Sequence, residues 1–149
     1  THRHKRSQIG CGIYIAIGNY LSLEKSLEVG IRKGIEKAFN FYRYKTDFKA
    51  ELVAYSRLEN PAFKDLAEDE IRSGGYVVDS LEASLWCLLN SQSYEEALLK
   101  AVNLGKDTDT TGAICGGLAG IFYGYDAIKD SWLKKIVKRD WIEGLCEEG

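Results

Sequence analysis

The segment Lys106-Asp107-Thr108-Asp109-Thr110-Thr111-Gly112 sets two carboxylates two residues apart and follows them at once with hydroxyls. It lies between a helix stop at Gly105 and a new helix start. Hard divalent cations, Mg2+ above all, take carboxylate, hydroxyl and water oxygens in octahedral array. A loop-to-helix junction lets Asp107, Asp109 and Thr110 converge on one point. The same residues would also serve a plainer purpose, with Asp109 capping the helix that follows. The spacing alone leaves both readings open.

Two other cation or phosphate motifs fit less well. An EF-hand loop beginning at Asp107 would place Gly112 correctly at its sixth position, but its twelfth is Leu118 instead of a bidentate glutamate. D-x-D-x-T also matches the nucleophile loop of haloacid-dehalogenase-type phosphatases. That loop follows a buried strand of a parallel sheet, whereas a capped helix precedes this one.

The elements that must position these residues read as helices. Ser93 to Glu96 is a capping box opening a helix through Leu98, Ala101 and Val102, which Gly105 stops. A glycine-rich helix then runs to about Tyr125. Its stripe Gly112, Gly116 and Gly120 predicts a central helix with another backbone against it. Upstream, Val78, Leu81, Leu85, Leu88 and Leu89 mark a helix that begins after the break Ser73-Gly74-Gly75. Leu23, Leu27, Ile31, Ile35, Phe39 and Tyr42 recur at four-residue steps behind a Ser22 cap, a long amphipathic helix. A shorter helix covers Phe48 to Leu58 and gives way at Asn60-Pro61. Ile9 to Leu21 is apolar all round, either a central strand or a buried helix. A last helix carries Trp132, Leu133, Ile136 and Val137. The pattern predicts an all-α fold in which residues 1–149 form a single domain.

Composition bounds the partners. Twenty basic against 22 acidic residues give a net charge of −2, with no general field for nucleic acid. The longest uncharged stretch, Thr110 to Tyr125, has 16 residues and five glycines, which is no membrane span. The four cysteines are dispersed and form no C-x-x-C pair, and the two histidines, His2 and His4, sit together at the start. Reduced thiols and a cytoplasmic setting are the expectation. The chain opens on Thr1 and has no methionine, so it is expected to be a fragment, a processed product or a trimmed piece of a longer protein.

Gly75-Tyr76-Val77-Val78-Asp79-Ser80-Leu81-Glu82-Ala83-Ser84-Leu85-Trp86, the segment Gly105 to Ala113, and Gly116-Gly117-Leu118-Ala119-Gly120 together resemble the ADP-ribosylglycohydrolase family. The opening Thr1-His2-Arg3-His4 and the Trp132-Leu133 segment extend the likeness through nearly the whole chain, as that family's later half. The resemblance implies an all-α, compact multi-helix enzyme that cleaves the glycosidic bond between ADP-ribose and a protein side chain or small acceptor, using two Mg2+ ions (Mn2+ in some members). Carried across, Asp107, Asp109 and Thr110 become metal ligands. Gly74, Gly75, Tyr76 and Val77 become the segment lining the ADP-ribose cleft, where a glycine pair before a helix exposes N–H groups to a pyrophosphate. The earlier half's Gly-Asp motif and Thr-Asp-Asp cluster have no match. The acid/base carboxylate is therefore expected outside this chain, on the missing amino-terminal half or on another polypeptide. A non-catalytic ADP-ribose or nucleotide-binding module of the same fold is the alternative.

Overall fold

Ile9, Ile13 and Ile17 are fully buried and Leu21 nearly so, while Ile15 is 61% exposed. Burial at four-residue steps decides the ambiguous first segment: Lys5–Leu21 is a helix, α1. The computed structural model describes residues 3–147. Thr1 and His2 of the basic opening and the last two residues lie outside the described residues.

The second helix, α2 (Leu27–Arg43), starts one turn later than its apolar repeat implies. Ser26 caps it, accepting from the Val29 N–H at 3.4 Å. Ser22, the expected cap, instead closes α1 with its own N–H on the Gly18 carbonyl. Leu23 continues the four-residue repeat yet stands exposed in the connecting turn. The α1–α2 contact is a backbone contact. A Cβ at Gly34 would fall on the Ile17 backbone, and one at Gly30 would lie 3.3 Å from the Leu21 Cα.

The Phe48–Leu58 helix is in fact two pieces, α3 (Thr46–Leu52) and a tighter 3-10 stretch, Val53–Glu59. The chain then crosses to α4 (Val77–Leu89) through irregular backbone with two short 3-10 turns. Helix α4 is buried on nearly all sides from Val78 to Leu88, which places it at the centre. The capping box of α5 (Tyr94–Asn103) is half-reciprocal. Ser93 accepts from the Glu96 N–H at 3.1 Å, but Glu96 reaches back to the Gln92 N–H at 2.8 Å.

The last long helix is α6 (Thr108–Tyr123). Its glycine stripe does pack against a neighbour, but side chains fill it, correcting the expected backbone approach. A Cβ at Gly112 would meet Val102 at 3.0 Å, and one at Gly116 would meet Leu98 at 3.3 Å. The single carboxy-terminal helix is also corrected: Lys138, at φ 59°, separates α7 (Asp130–Leu133) from α8 (Arg139–Glu147). The architecture is all-α, eight α-helices with no strand among the described residues. None is long and apolar enough to cross a membrane.

All four cysteines are unpaired. Burial pushes the Cys87 and Cys115 thiols up to about 12, whereas Cys11 and Cys146 are exposed. Because the thiolate is the reactive form, a chromogenic thiol reagent should find two fast thiols in the native protein and four after denaturation. Four fast native thiols would contradict this packing.

Candidate metal and ADP-ribose site

Gly105 (φ 82°) and Lys106 (φ 60°) are consecutive left-handed residues, and they reverse the chain between α5 and α6. Glycine enters that region freely; lysine does so rarely. The reversal aims Asp107 at the loop before α4. Its N–H donates to the Ser73 carbonyl at 3.1 Å, and its carbonyl accepts from the Thr111 N–H at 3.2 Å and hydroxyl at 2.8 Å. Ser73, itself buried, donates its hydroxyl to the Gly105 carbonyl at 3.1 Å. The two motifs of the sequence are thereby tied together through backbone.

With its backbone so engaged, Asp107 makes no side-chain cap on α6. Its Oδ2 lies 3.0 Å from where a Gly75 Cβ would sit. Gly75 has no left-handed φ, so glycine there provides room for the carboxylate. Asp109 and Thr110 follow on the first turn of α6, both exposed. The Asp109 carboxyl is held below the ordinary carboxylate range, first by the hydrogen bond it shares with the Asp107 side chain, then by the backbone N–H groups of Thr110 and Asp109. The expected Asp109 cap is corrected: Asp107 holds the N-cap position, and Asp109 is the second residue of α6.

The cleft residues divide. A Cβ at Gly74 would meet nothing within 4 Å, so this turn is open. Tyr76 flanks the start of α4 and is 44% exposed. The Arg6 guanidinium donates to the Tyr76 hydroxyl, lies 5.8 Å from the ring centroid and donates from Nε to Glu51 at 2.7 Å. Val77 points its side chain inward, against α1 at Gly10, so only its backbone is available to a ligand. Ser80 steadies the turn, its hydroxyl 3.1 Å from the Gly74 carbonyl. The starts of α4 and α6 meet here, and the positive ends of helices favour anions. A cavity of about 510 Å³ adjoins them, lined by Glu68, Asp69, Ile71, Ser73, Leu104 and Lys106.

Four residues that sequence reasoning missed complete the frame: Arg6, Ser73, Ser84 and Thr111. Ser84 donates to the Thr111 carbonyl at 3.0 Å inside the core. Ser73 and Thr111 carried a signal, a serine immediately before the glycine pair and a hydroxyl inside the acidic motif. The donor set fits a hard cation. Asp107 and Asp109 lie side by side, and among the described residues no lysine, arginine or histidine pairs with either. No third Asp, Glu, His or Cys joins them in a metal-binding cluster among those residues. Two carboxylates and a hydroxyl fall short of a complete coordination sphere.

Residues 1–148 match the ADP-ribosylglycohydrolase family, and the chain belongs to that family. It is 44% identical over 148 residues to the ADP-ribosylarginine hydrolase Tri1 of Serratia proteamaculans, covering 99% of this chain and 37% of that protein. A protein of the same name from Pseudomonas putida is 42% identical over 86 residues, 58% of this chain and 23% of that one. The ADP-ribosyl-[dinitrogen reductase] glycohydrolase of Rhodospirillum rubrum is 40% identical over 65 residues, 44% of this chain and 22% of that one. The chain thus spans little more than a third of the first relative and less of the others.

Proposed function

We propose that this chain supplies the later half of the metal and ADP-ribose site of a Mg2+-dependent hydrolase. The reaction is cleavage of the glycosidic bond of ADP-ribosylated proteins or small ADP-ribosyl compounds, with Mn2+ as a possible substitute. The reading rests on one observation. Asp107, the hinge of the acidic motif, is bonded through its N–H to Ser73 and packed against Gly75 of the glycine turn.

Asp107, Asp109 and Thr110 would hold a cation of the two-ion site. When bound, the ions orient ribose hydroxyls and stabilise charge at the departing centre. Gly74, Gly75 and the start of α4 would receive the pyrophosphate, with the exposed Tyr76 ring beside it. Two carboxylates do not fill a coordination sphere. The remaining ligands and the acid/base carboxylate would come from polypeptide outside this chain, the earlier half of the parent or another chain. A cytoplasmic setting remains part of this reading.

An apolar face supports that partner. On α6, Thr110, Ile114, Gly117 and Ile121 share one side, and Ile121 is 45% exposed. Helix α1 packs alongside, Gly18 against Ile121 and Tyr14 against Gly117, and adds the exposed Ile15. Ile15 and Ile121 are the large apolar side chains left exposed on these two helices. Alone, the chain should bind a hydrophobic dye, take up Mg2+ and ADP-ribose weakly in calorimetry, and hydrolyse nothing. Adding the earlier-half polypeptide should quench the dye and restore cleavage together. Efficient cleavage by the isolated chain would overturn the proposal.

A further inference from the structure

Glu82 is buried on α4, yet one of its carboxylate oxygens has no hydrogen-bond partner. The other pairs with Arg57 at 3.1 Å. Burial pushes the Glu82 carboxyl above its ordinary range, opposed by Arg57 and, more weakly, Arg72. A carboxylate in such a place is costly, and apolar residues of similar size often replace buried ion pairs without loss of stability. The pair also reaches a second segment of the chain.

That segment is bonded from the far side of Arg57. Its second guanidinium nitrogen donates to the Glu70 carbonyl at 3.3 Å. The segment from Lys64 to Gly74 is stitched to α4 in order. Asn90 donates to the Lys64 carbonyl at 2.9 Å, Trp86 to Leu66 at 3.1 Å, and Ser80 lies 3.1 Å from Gly74. Asn90, Trp86 and Glu82 stand at four-residue steps, one stripe of the helix. Arg57 extends the Glu82 rung to Glu70, three residues before Ser73.

We infer that Glu82 and Arg57 are a positioning pair, setting the approach of residues 70–75 to Asp107 and so the shape of the candidate site. This deepens the proposed function and rests on it for the identity of the ligand. The geometry itself is independent of that reading. Neither residue touches the site. Both act through the Glu70 carbonyl and the Ser73 carbonyl that receives the Asp107 N–H.

The test compares Glu82→Gln, Arg57→Met and the double variant Glu82→Met/Arg57→Met in the full chain. Three quantities are read: melting temperature, amide hydrogen exchange at Asp107 against Ile13, and Mg2+ affinity by calorimetry. The double variant removes the buried charge with its partner, so its melting temperature should return to near wild type. Asp107 exchange should nevertheless be about tenfold faster than wild type in all three variants, with Ile13 unchanged and Mg2+ affinity several-fold weaker. Wild-type exchange at Asp107 in the stable double variant would overturn the inference, because a purely structural pair is satisfied by apolar replacement. If wild-type chain binds no Mg2+ while Asp107 exchange responds as expected, the functional reading fails and the positioning pair stands.

Discussion

Asp107→Ala and Asp109→Ala are each expected to lower divalent-cation-dependent hydrolysis by about three orders of magnitude in the protein that carries the complete ligand set. Helical content and melting temperature should stay close to wild type. The separation follows from which atoms do what. Asp107 holds the fold through its N–H on Ser73 and its carbonyl under Thr111, and alanine keeps both. What alanine removes is the carboxylate facing Gly75. Asp109 is exposed on the first turn of α6, and its loss costs the helix little beyond a favourable charge at a positive end.

The neighbouring threonines sharpen the test. Thr110 is exposed and Thr111 is fully buried, bonded to Asp107. Thr110→Val should weaken cation binding at unchanged stability. Thr111→Val should cost about 1–2 kcal/mol of stability for the buried bond it breaks. Steady-state rates, cation titration and thermal denaturation read these effects. Full activity in either aspartate variant at unchanged cation affinity would sink the assignment.

How far these features were legible in the sequence depends on how local their causes are. Helices α4 and α5, and the stop at Gly105, rest on neighbouring residues: a capping serine, a glycine able to turn left-handed, a four-residue apolar repeat. The acidic motif and the glycine turn could be singled out for the same reason. The character of Ile9–Leu21 could not, because only burial by α2, α4 and α6 separates the inward Ile13 from the outward Ile15. Nor could the start of α2: Leu23 continues the repeat, and tertiary packing alone leaves it outside. Glu82 read as one more polar position on a helix. Its burial and its bond to Arg57 join residues 25 apart through a 3-10 stretch that carries no apolar period.

The glycines of the described chain carry a second large expected effect. The stripe on α6 attracts attention, but Gly30 and Gly34 on α2 are where backbone meets backbone. A Cβ at Gly34 would fall on the main chain of Ile17, with the Ile17 Cγ1 at 2.8 Å as well. A side-chain neighbour can rotate away; a helix axis must translate. Alanine would gain about 1 kcal/mol of helix propensity over glycine, yet overpacking a close-packed core costs about 1–3 kcal/mol and at times more. The clash should win, because Ile17 is itself fully buried and leaves α1 no slack. Gly34→Ala is therefore expected to destabilise the chain by about 2 kcal/mol, lowering the melting temperature by about 4–8 °C. Gly144 supplies the internal control, as it sits in α8 with nothing within 4 Å of a Cβ and no left-handed φ. There the same substitution should raise stability by about 0.5–1 kcal/mol. Circular dichroism melts of the two variants should move in opposite directions. Because α1 also carries Arg6, which bonds the Tyr76 hydroxyl, Gly34→Ala should loosen the proposed ADP-ribose cleft too. A Gly34→Ala chain as stable as wild type would mean that α1 and α2 do not meet through their backbones.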